Sequence, residues 1–231
     1  MKPLRIFLVR HGESEGNVDR NIFTKIQDYK IQLTDIGWEE AKISGEIIKN
    51  NILKYEKLSP PASQSNVKCF VYCSTFKRSR QTFESMKSNL KFPGFKSYIY
   101  HEDPRIREQE WGNYQKHYDS QEVLEEREKY GSFYYRISQG ESGADVYDRL
   151  STFLDTLFRD FEKPDYPENV IIVSHGFTIR IFLMRWFHWS PEEFEELVNP
   201  KNGQVIEMHW NPLTEKYDLK SQMVRKKPLI G

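Results

Sequence analysis

Two strand ends hold the residues with the clearest chemical promise. Leu8-Val9-Arg10-His11-Gly12 and Ile172-Val173-Ser174-His175-Gly176 each carry an apolar run straight into His-Gly. In open α/β sheets, ligands bind in the crevice beyond the carboxyl ends of the strands, so two histidines placed there can converge although they are distant in sequence. The glycines that follow let the backbone turn sharply and approach a ligand closely. A third apolar run, Phe70-Val71-Tyr72-Cys73, leads into Ser74-Thr75-Phe76-Lys77-Arg78-Ser79-Arg80-Gln81-Thr82, which reads as a turn entering a helix. Arg10 and Arg78 thus fall beside the same crevice, where guanidinium forks suit the oxygens of a phosphoryl group. Two imidazoles with two guanidiniums specify a dianionic, phosphate-like ligand rather than a metal ion. A magnesium-dependent phosphotransferase would need clustered carboxylates, and no Asp-rich strand end occurs. Glycine-rich nucleotide loops are missing as well.

The elements that must position these groups read as an α/β alternation, with further strand-length runs at Tyr98-Ile99-Tyr100 and Val170-Ile171-Ile172-Val173. The first and last runs are apolar at consecutive positions, the pattern of interior strands covered by helices on both faces. A three-layer α/β/α sandwich with a mostly parallel central sheet is expected. Ser142 caps a helix with Asp145 three positions on, and Val146, Leu150, Phe153, Leu154, Leu157, Phe158 and Phe161 form its apolar stripe. Pro164 and Pro167 end it. A second helix starts after Thr34 and runs through Ala41, Ile43, Ile47 and Ile48, with a loop from Ser59 to Ser65 behind it.

A chain of 231 residues suffices for one core, and nothing in its composition forces a second domain. Lys+Arg and Asp+Glu balance at 34 each, so no global field draws the protein onto nucleic acid or an anionic membrane, and anion chemistry must be local. No segment approaches the length of a membrane span, and the N-terminus enters a strand-like run without an apolar signal core. The cytoplasm, or the nucleus, is the expected compartment. Cys69 and Cys73 share one face of a strand and read as buried free thiols. His101, His117, His188 and His209 read as surface or packing residues, and Arg225-Lys226-Lys227 as a solvated tail.

The stretch Leu8 to Asn17, LVRHGESEGN, resembles the signature of the histidine phosphatase superfamily, which includes cofactor-dependent phosphoglycerate mutases and fructose-bisphosphatases. Leu33-Thr34 with Gly37 and Ala41, then Ser74 to Thr82, then Ser174-His175-Gly176, are similar to its later blocks and follow in the family's order. Asp103 to Asn113 and Gly140 to Arg149 look like the small plant and fungal phosphoglycerate-mutase-like phosphatases. The resemblance implies a phosphoglycerate-mutase-like fold, a single domain over 1–231 with a helical lid inserted at roughly 109–141. It makes His11 the nucleophile, Arg10 and Arg78 the phosphate clamp, His175 with Gly176 a second phosphate contact, Asn17 a further phosphate-side residue and Glu108 the proton donor. Glu110 is the rival to Glu108, and the Ile106-x-Glu108 pattern favours the latter.

The implied activity is hydrolysis of a small phosphomonoester through a phosphohistidine, with no metal and no cofactor. The alternatives are a phosphoglycerate mutase or bisphosphatase, and a phosphoprotein-binding module. Between Glu108 and Ser142 the adjacent arginine pair of mutases is absent, and Arg127 and Arg136 stand alone. Gly16 replaces the tryptophan many mutases carry, Thr75 a proline and Ser79 an alanine. Tyr114, Tyr118, Tyr130, Phe133, Tyr134 and Tyr135 either pack the lid or wall a pocket for an apolar or aromatic leaving group.

Overall fold

The structure is a computed structural model that describes residues 2–56, 67–92, 94–112 and 121–226. Among these, strands β1 (Arg5–Arg10), β2 (Val67–Cys73), β3 (Phe95–Glu102), β4 (Asn169–Ser174), β5 (Val205–Asn211) and β6 (Lys216–Leu219) form one sheet in the order β3-β2-β4-β1-β5-β6. The first four run parallel, while β5 joins β1, and β6 joins β5, antiparallel. The helices are α1 (Glu15–Val18), α2 (Asp35–Glu56), α3 (Lys77–Met86), α4 (Gln121–Tyr130), α5 (Gly143–Phe161), α6 (Gly176–Phe187) and α7 (Pro191–Glu195).

Successive strand residues point to opposite faces, so strands apolar at every position must be covered twice. Phe7 and Val9 of β1, Val71 of β2, and Ile171 and Val173 of β4 pack against Ala41, Ile48 and Ile52 of α2 and Phe83 and Met86 of α3. Ile6, Leu8, Tyr72, Val170 and Ile172 face the other way, onto Val146, Leu150 and Leu157 of α5 and Ile179 and Leu183 of α6. The result is the three-layer sandwich the sequence indicates. Each such side chain contributes roughly 1.5–3 kcal/mol of burial, which makes the middle of the sheet the rigid base for whatever its edge carries.

The helix boundaries and stripes sharpen the sequence reading. Ser142 and Asp145 form the expected capping box of α5, although Phe158 is exposed and leans at a tilt against Trp186 rather than joining the core. In α2 the buried stripe is Ala41, Ser44, Ile48 and Ile52, while Ile43 and Ile47 face solvent, because the helical period returns every three or four residues. Ser44 is accommodated by its hydroxyl donating to the carbonyls of Glu40 and Gly203. The antiparallel pair β5 and β6 went unread, as its run is broken by Glu207, His209 and Asn211. The loop expected from Ser59 to Ser65, with Tyr114, Tyr118, His117 and Lys227, lies outside the described residues.

Cys69 and Cys73 are buried and free, and burial pushes both thiols up to about 12. Among the described residues, no helix is long and apolar enough to cross a membrane.

Candidate active site

Parallel registration brings three strand ends together. Val9 of β1 and Cys73 of β2 both pair with Val173 of β4, so His11, Ser74 and His175 leave the same edge of the sheet side by side. Backbone bonds tie these exits: the His11 N–H donates to the Ser174 carbonyl at 3.0 Å, and the Ser74 N–H to the Val173 carbonyl at 2.9 Å. The two imidazoles meet edge-on with ring centroids 5.1 Å apart.

Their hydrogen bonds differ. His11 Nδ1 lies 2.7 Å from the Gly12 carbonyl oxygen, an obligate acceptor, so Nδ1 carries the proton and Nε2 the lone pair. That lone pair accepts from Arg78 Nε at 3.2 Å. His175 is tied through Nε2, to the hydroxyls of Ser74 at 2.8 Å and Ser79 at 3.3 Å, while no described residue bonds its buried Nδ1. Burial, with the charge of Arg78 behind it, holds both imidazoles well below the usual histidine range, and Arg10 adds to the effect.

Arg78, in the first turn of α3, is pinned from outside the motif. Its Nη1 donates to the carbonyl of Asp28 at 2.9 Å and to the Asp28 carboxylate at 2.6 Å. Arg10 donates from Nη1 to the Pro200 carbonyl at 2.5 Å, and its buried Nε has no partner among the described residues. Asn17 has its amide oxygen filled by Ser14 N–H at 3.0 Å and Asn202 Nδ2 at 2.9 Å, which leaves the amide nitrogen as its donor toward the space in front.

Glu108 reaches the same space from the loop after β3. Two backbone donors converge on its Oε1, the Gln109 N–H at 3.1 Å and the Thr178 N–H at 3.3 Å, and the Thr178 hydroxyl lies 3.0 Å from it and 2.8 Å from the Arg107 carbonyl oxygen. Thr178 stands in the first turn of α6, where unpaired N–H groups and the helix dipole favour a carboxylate. The loop itself is stapled by Glu141, which receives Arg107 at 2.7 Å, Arg149 at 2.9 Å and the Glu110 N–H at 2.9 Å.

Arg10, His11, Asn17, Arg78 and Glu108 line one cavity of about 250 Å³. His175 and Gly176 stand against its wall without lining it; a Cβ on Gly176 would sit 3.2 Å from Arg10 Nε. Glu110 is exposed and lines a neighbouring cleft instead. Among the described residues, no group of three or more His, Cys, Asp or Glu side chains is arranged to hold a metal ion.

The family model of the histidine phosphatase superfamily (branch 1) matches residues 6–220. The chain belongs to the histidine phosphatase superfamily. It is 41% identical over 209 residues to the phosphoglycerate mutase-like protein AT74 of Arabidopsis thaliana, which covers 88% of this chain and 64% of that protein. To the broad-range acid phosphatase DET1 of Saccharomyces cerevisiae it is 28% identical, over 95% of this chain and 89% of that one. The fold is shared with a mycobacterial glucosyl-3-phosphoglycerate phosphatase at a TM-score of 0.66, with 17% identity, 94% of this chain and 96% of that chain covered. Membership of the superfamily and likeness to the plant and fungal proteins agree with the sequence reading. The chain spans less than two thirds of the plant protein's length, so the activity and substrate of the whole protein are a separate matter.

The sequence reading passed over several residues of this site. Asp28, Thr178 and Asn199 sit in segments without a periodic or motif signal, and Glu141 lies in the Gly140–Arg149 block without a role assigned to it. Arg127, read as an isolated cation, lines the cavity and donates to Gln109 Oε1 at 3.0 Å, with its guanidinium 5.2 Å from the Trp111 ring and 4.9 Å from the Phe177 ring. Arg136 is exposed and paired with Asp145 at 2.7 Å. Of the tyrosines and Phe133 singled out in the insertion, those described do not wall the cavity: Phe133 is buried against Phe194, Tyr130 and Tyr134 are exposed, and Tyr135 donates to Glu126.

Proposed function

We propose that the chain is a metal-independent phosphomonoesterase that works through a phosphohistidine on His11, with Glu108 as general acid and then base. The observation that carries this reading is the His11 ring: neutral, with Nδ1–H fixed on the Gly12 carbonyl and the Nε2 lone pair at a cavity shared with two guanidiniums and Glu108. Nε2 attacks phosphorus, the P–O bond to the leaving group breaks, and Glu108 protonates the departing alkoxide. Oε1 accepts two backbone N–H bonds, so Oε2 delivers that proton. The ring becomes cationic as the P–N bond forms, and the Nδ1–H bond to Gly12 strengthens with it.

In the second step the Glu108 carboxylate takes a proton from water. The water oxygen then attacks phosphorus, the P–N bond breaks and the lone pair returns to Nε2. Arg10, Arg78, the Asn17 amide and His175 Nδ1 hold charge on the non-bridging oxygens throughout, with Gly176 leaving room for the Arg10 guanidinium. His175 donates from Nδ1 when Nε2 accepts the Ser74 hydroxyl proton.

The substrate is a small phosphomonoester. The catalytic unit is a single domain over 1–231 with the insertion near 109–141, and two free thiols suit the cytoplasm or nucleus. A phosphate-release screen over sugar phosphates, nucleotides, lipid phosphates, phosphopeptides and phosphoglycerate, with chelator present and His11→Ala as blank, tests the reading. Phosphate release that survives the chelator, with an acid-labile phosphoryl-enzyme trapped only when His11 is present, is expected. Normal turnover by His11→Ala, isomerisation of phosphoglycerate without phosphate release, or phosphopeptide binding without turnover would each overturn it.

A further inference from the structure

The phosphate cavity does not end at the reacting centre. A cleft of about 420 Å³ adjoins it and shares three of its walls, Phe23, Asp28 and Trp111. The cleft adds Tyr29 and Phe76, with amides at Gln27 and Gln139. A phosphomonoester with phosphorus before His11 Nε2 and its leaving group in this space would run past Phe23 and Trp111, which line both.

Phe23 stands there because of Gly16. A Cβ at Gly16 would lie 2.6 Å from Phe23 Cζ and 2.8 Å from Cε2, so the ring occupies the space any side chain at 16 would fill. The sequence departs from the mutase pattern at this position, and the structure gives the departure a consequence: a residue from the short helical turn Arg20–Thr24 takes the place with an aromatic ring. Trp111 comes from the loop that also carries Glu108, and its ring is backed by the Arg127 guanidinium at 5.2 Å. Two rings from separate segments thus border both spaces at their junction.

Resting on the phosphatase reading above, we infer that Phe23 and Trp111 form an aromatic throat that selects phosphomonoesters of planar, aromatic leaving groups over those of flexible aliphatic ones. Ring–ring contact adds selectivity beyond apolar burial and requires a flat partner, while the amides at the cleft supply hydrogen bonds to a polar edge. Phe23 and Trp111 are specificity-determining residues that touch the leaving group and leave the phosphoryl group to His11, Arg10 and Arg78.

Benzyl phosphate and butyl phosphate test this directly, since both release simple alkoxides and differ chiefly in the ring. The wild type should favour benzyl phosphate in kcat/KM by about five- to tenfold, the range expected of one good ring contact. Phe23→Ala should bring the ratio to within about twofold, and Phe23→Leu, which keeps apolar bulk without a ring, should fall between. Gly16→Ala should act like Phe23→Ala by displacing the ring while leaving it in the chain. Trp111→Ala should also lower the ratio, and Trp111→Leu serves if that variant does not fold. Inhibition by inorganic phosphate should be unchanged in all the Phe23 variants. His11-dependent hydrolysis with equal rates on the two esters, or a preference unmoved by the Phe23 and Gly16 changes, would overturn the throat while leaving the phosphatase reading intact. Absence of His11-dependent hydrolysis of either ester would count against that reading itself.

Discussion

The ends of β1 and β4 carry the same dipeptide and use it in opposite ways. At His11 the ring is held through Nδ1 by the next residue's own carbonyl, and Nε2 faces Arg78; at His175 the ring is held through Nε2 by Ser74 and Ser79, and Nδ1 bonds none of the described residues. The glycines differ too. A Cβ on Gly12 would lie 2.2 Å from the backbone oxygen of Gly37, whereas one on Gly176 would meet only side-chain atoms, of Asn199 at 3.1 Å and Arg10 at 3.2 Å. Identical short motifs on neighbouring parallel strands therefore present opposite ring nitrogens, one available to attack and one to hold. Strand register brings the two rings together, and the second contact on each ring decides which task it takes.

The largest expected effect separates the two histidines. His11→Ala should lower kcat/KM on the order of 10⁴-fold or more and leave no phosphoryl-enzyme, as removal of a nucleophile does. His175→Ala removes a charge-stabilising donor and should cost about 10²–10³-fold while the phosphoryl-enzyme still forms slowly. Labelled substrate quenched in alkaline detergent, which preserves the acid-labile P–N bond, reads both, and a trapped intermediate in His11→Ala but not in His175→Ala would reverse the assignment. Next in size, Glu108→Gln should slow alkyl phosphates by about 10²–10⁴-fold but nitrophenyl phosphate far less, because nitrophenolate leaves without a proton. Steady-state rates on the two esters measure it, and equal slowing would remove Glu108 from the role of acid.

These assignments rest unequally on the sequence. His11, Arg10 and His175 were legible because each follows an apolar run that had to be an interior strand, and Arg78 because a turn-helix follows such a run. Glu108 required the family pattern, since nothing in Arg107-Glu108-Gln109-Glu110 distinguishes the two glutamates. The structure separates them by burial and by Thr178, which binds Glu108 from the first turn of α6 while Glu110 stays at the surface. Asp28, Arg127 and Glu141 were not legible in the same way. They act across loops, pinning Arg78, lining the cavity and stapling the Glu108 loop, and a long-range polar contact leaves no periodic trace in a chain. The six insertion aromatics read either as lid packing or as a pocket wall. Phe133 takes the packing role beside Phe194, and the cavity's aromatic lining is Phe23, Trp111 and Phe177.

The glycines offer a smaller test of the same contrast, read in stability rather than rate. Gly12→Ala forces two backbones apart and moves the carbonyl that fixes the His11 tautomer, so it should cost about 1–3 kcal/mol of unfolding free energy as well as activity. Gly176→Ala presses on side chains that can give, and should cost less than about 1 kcal/mol while raising KM through Arg10. Urea unfolding midpoints with kinetics on the same preparations decide it, and equal losses at the two glycines would erase the distinction.

The smallest effect is set by pH. Both imidazoles are buried and held below their ordinary value of 6.5, so between that value and their depressed native values the unfolded chain binds protons that the folded chain does not. Folding stability is therefore full above about pH 6.5 and falls as the pH drops below it, by at most about 1.4 kcal/mol per pH unit for each ring. The attacking lone pair on His11 Nε2 survives over the same window, so the alkaline side of this titration should leave the nucleophilic step unchanged while acid weakens the fold. Replacing His175 with Gln removes one titrating ring, keeps the His11 imidazole in the chain, and should shrink the imidazole part of the acid slope of the unfolding midpoint by up to half. Urea titrations at pH 7, 6 and 5 on wild type and His175→Gln measure that slope, and an unchanged slope would show that the ring at the end of β4 does not stay neutral in the fold as its partner does.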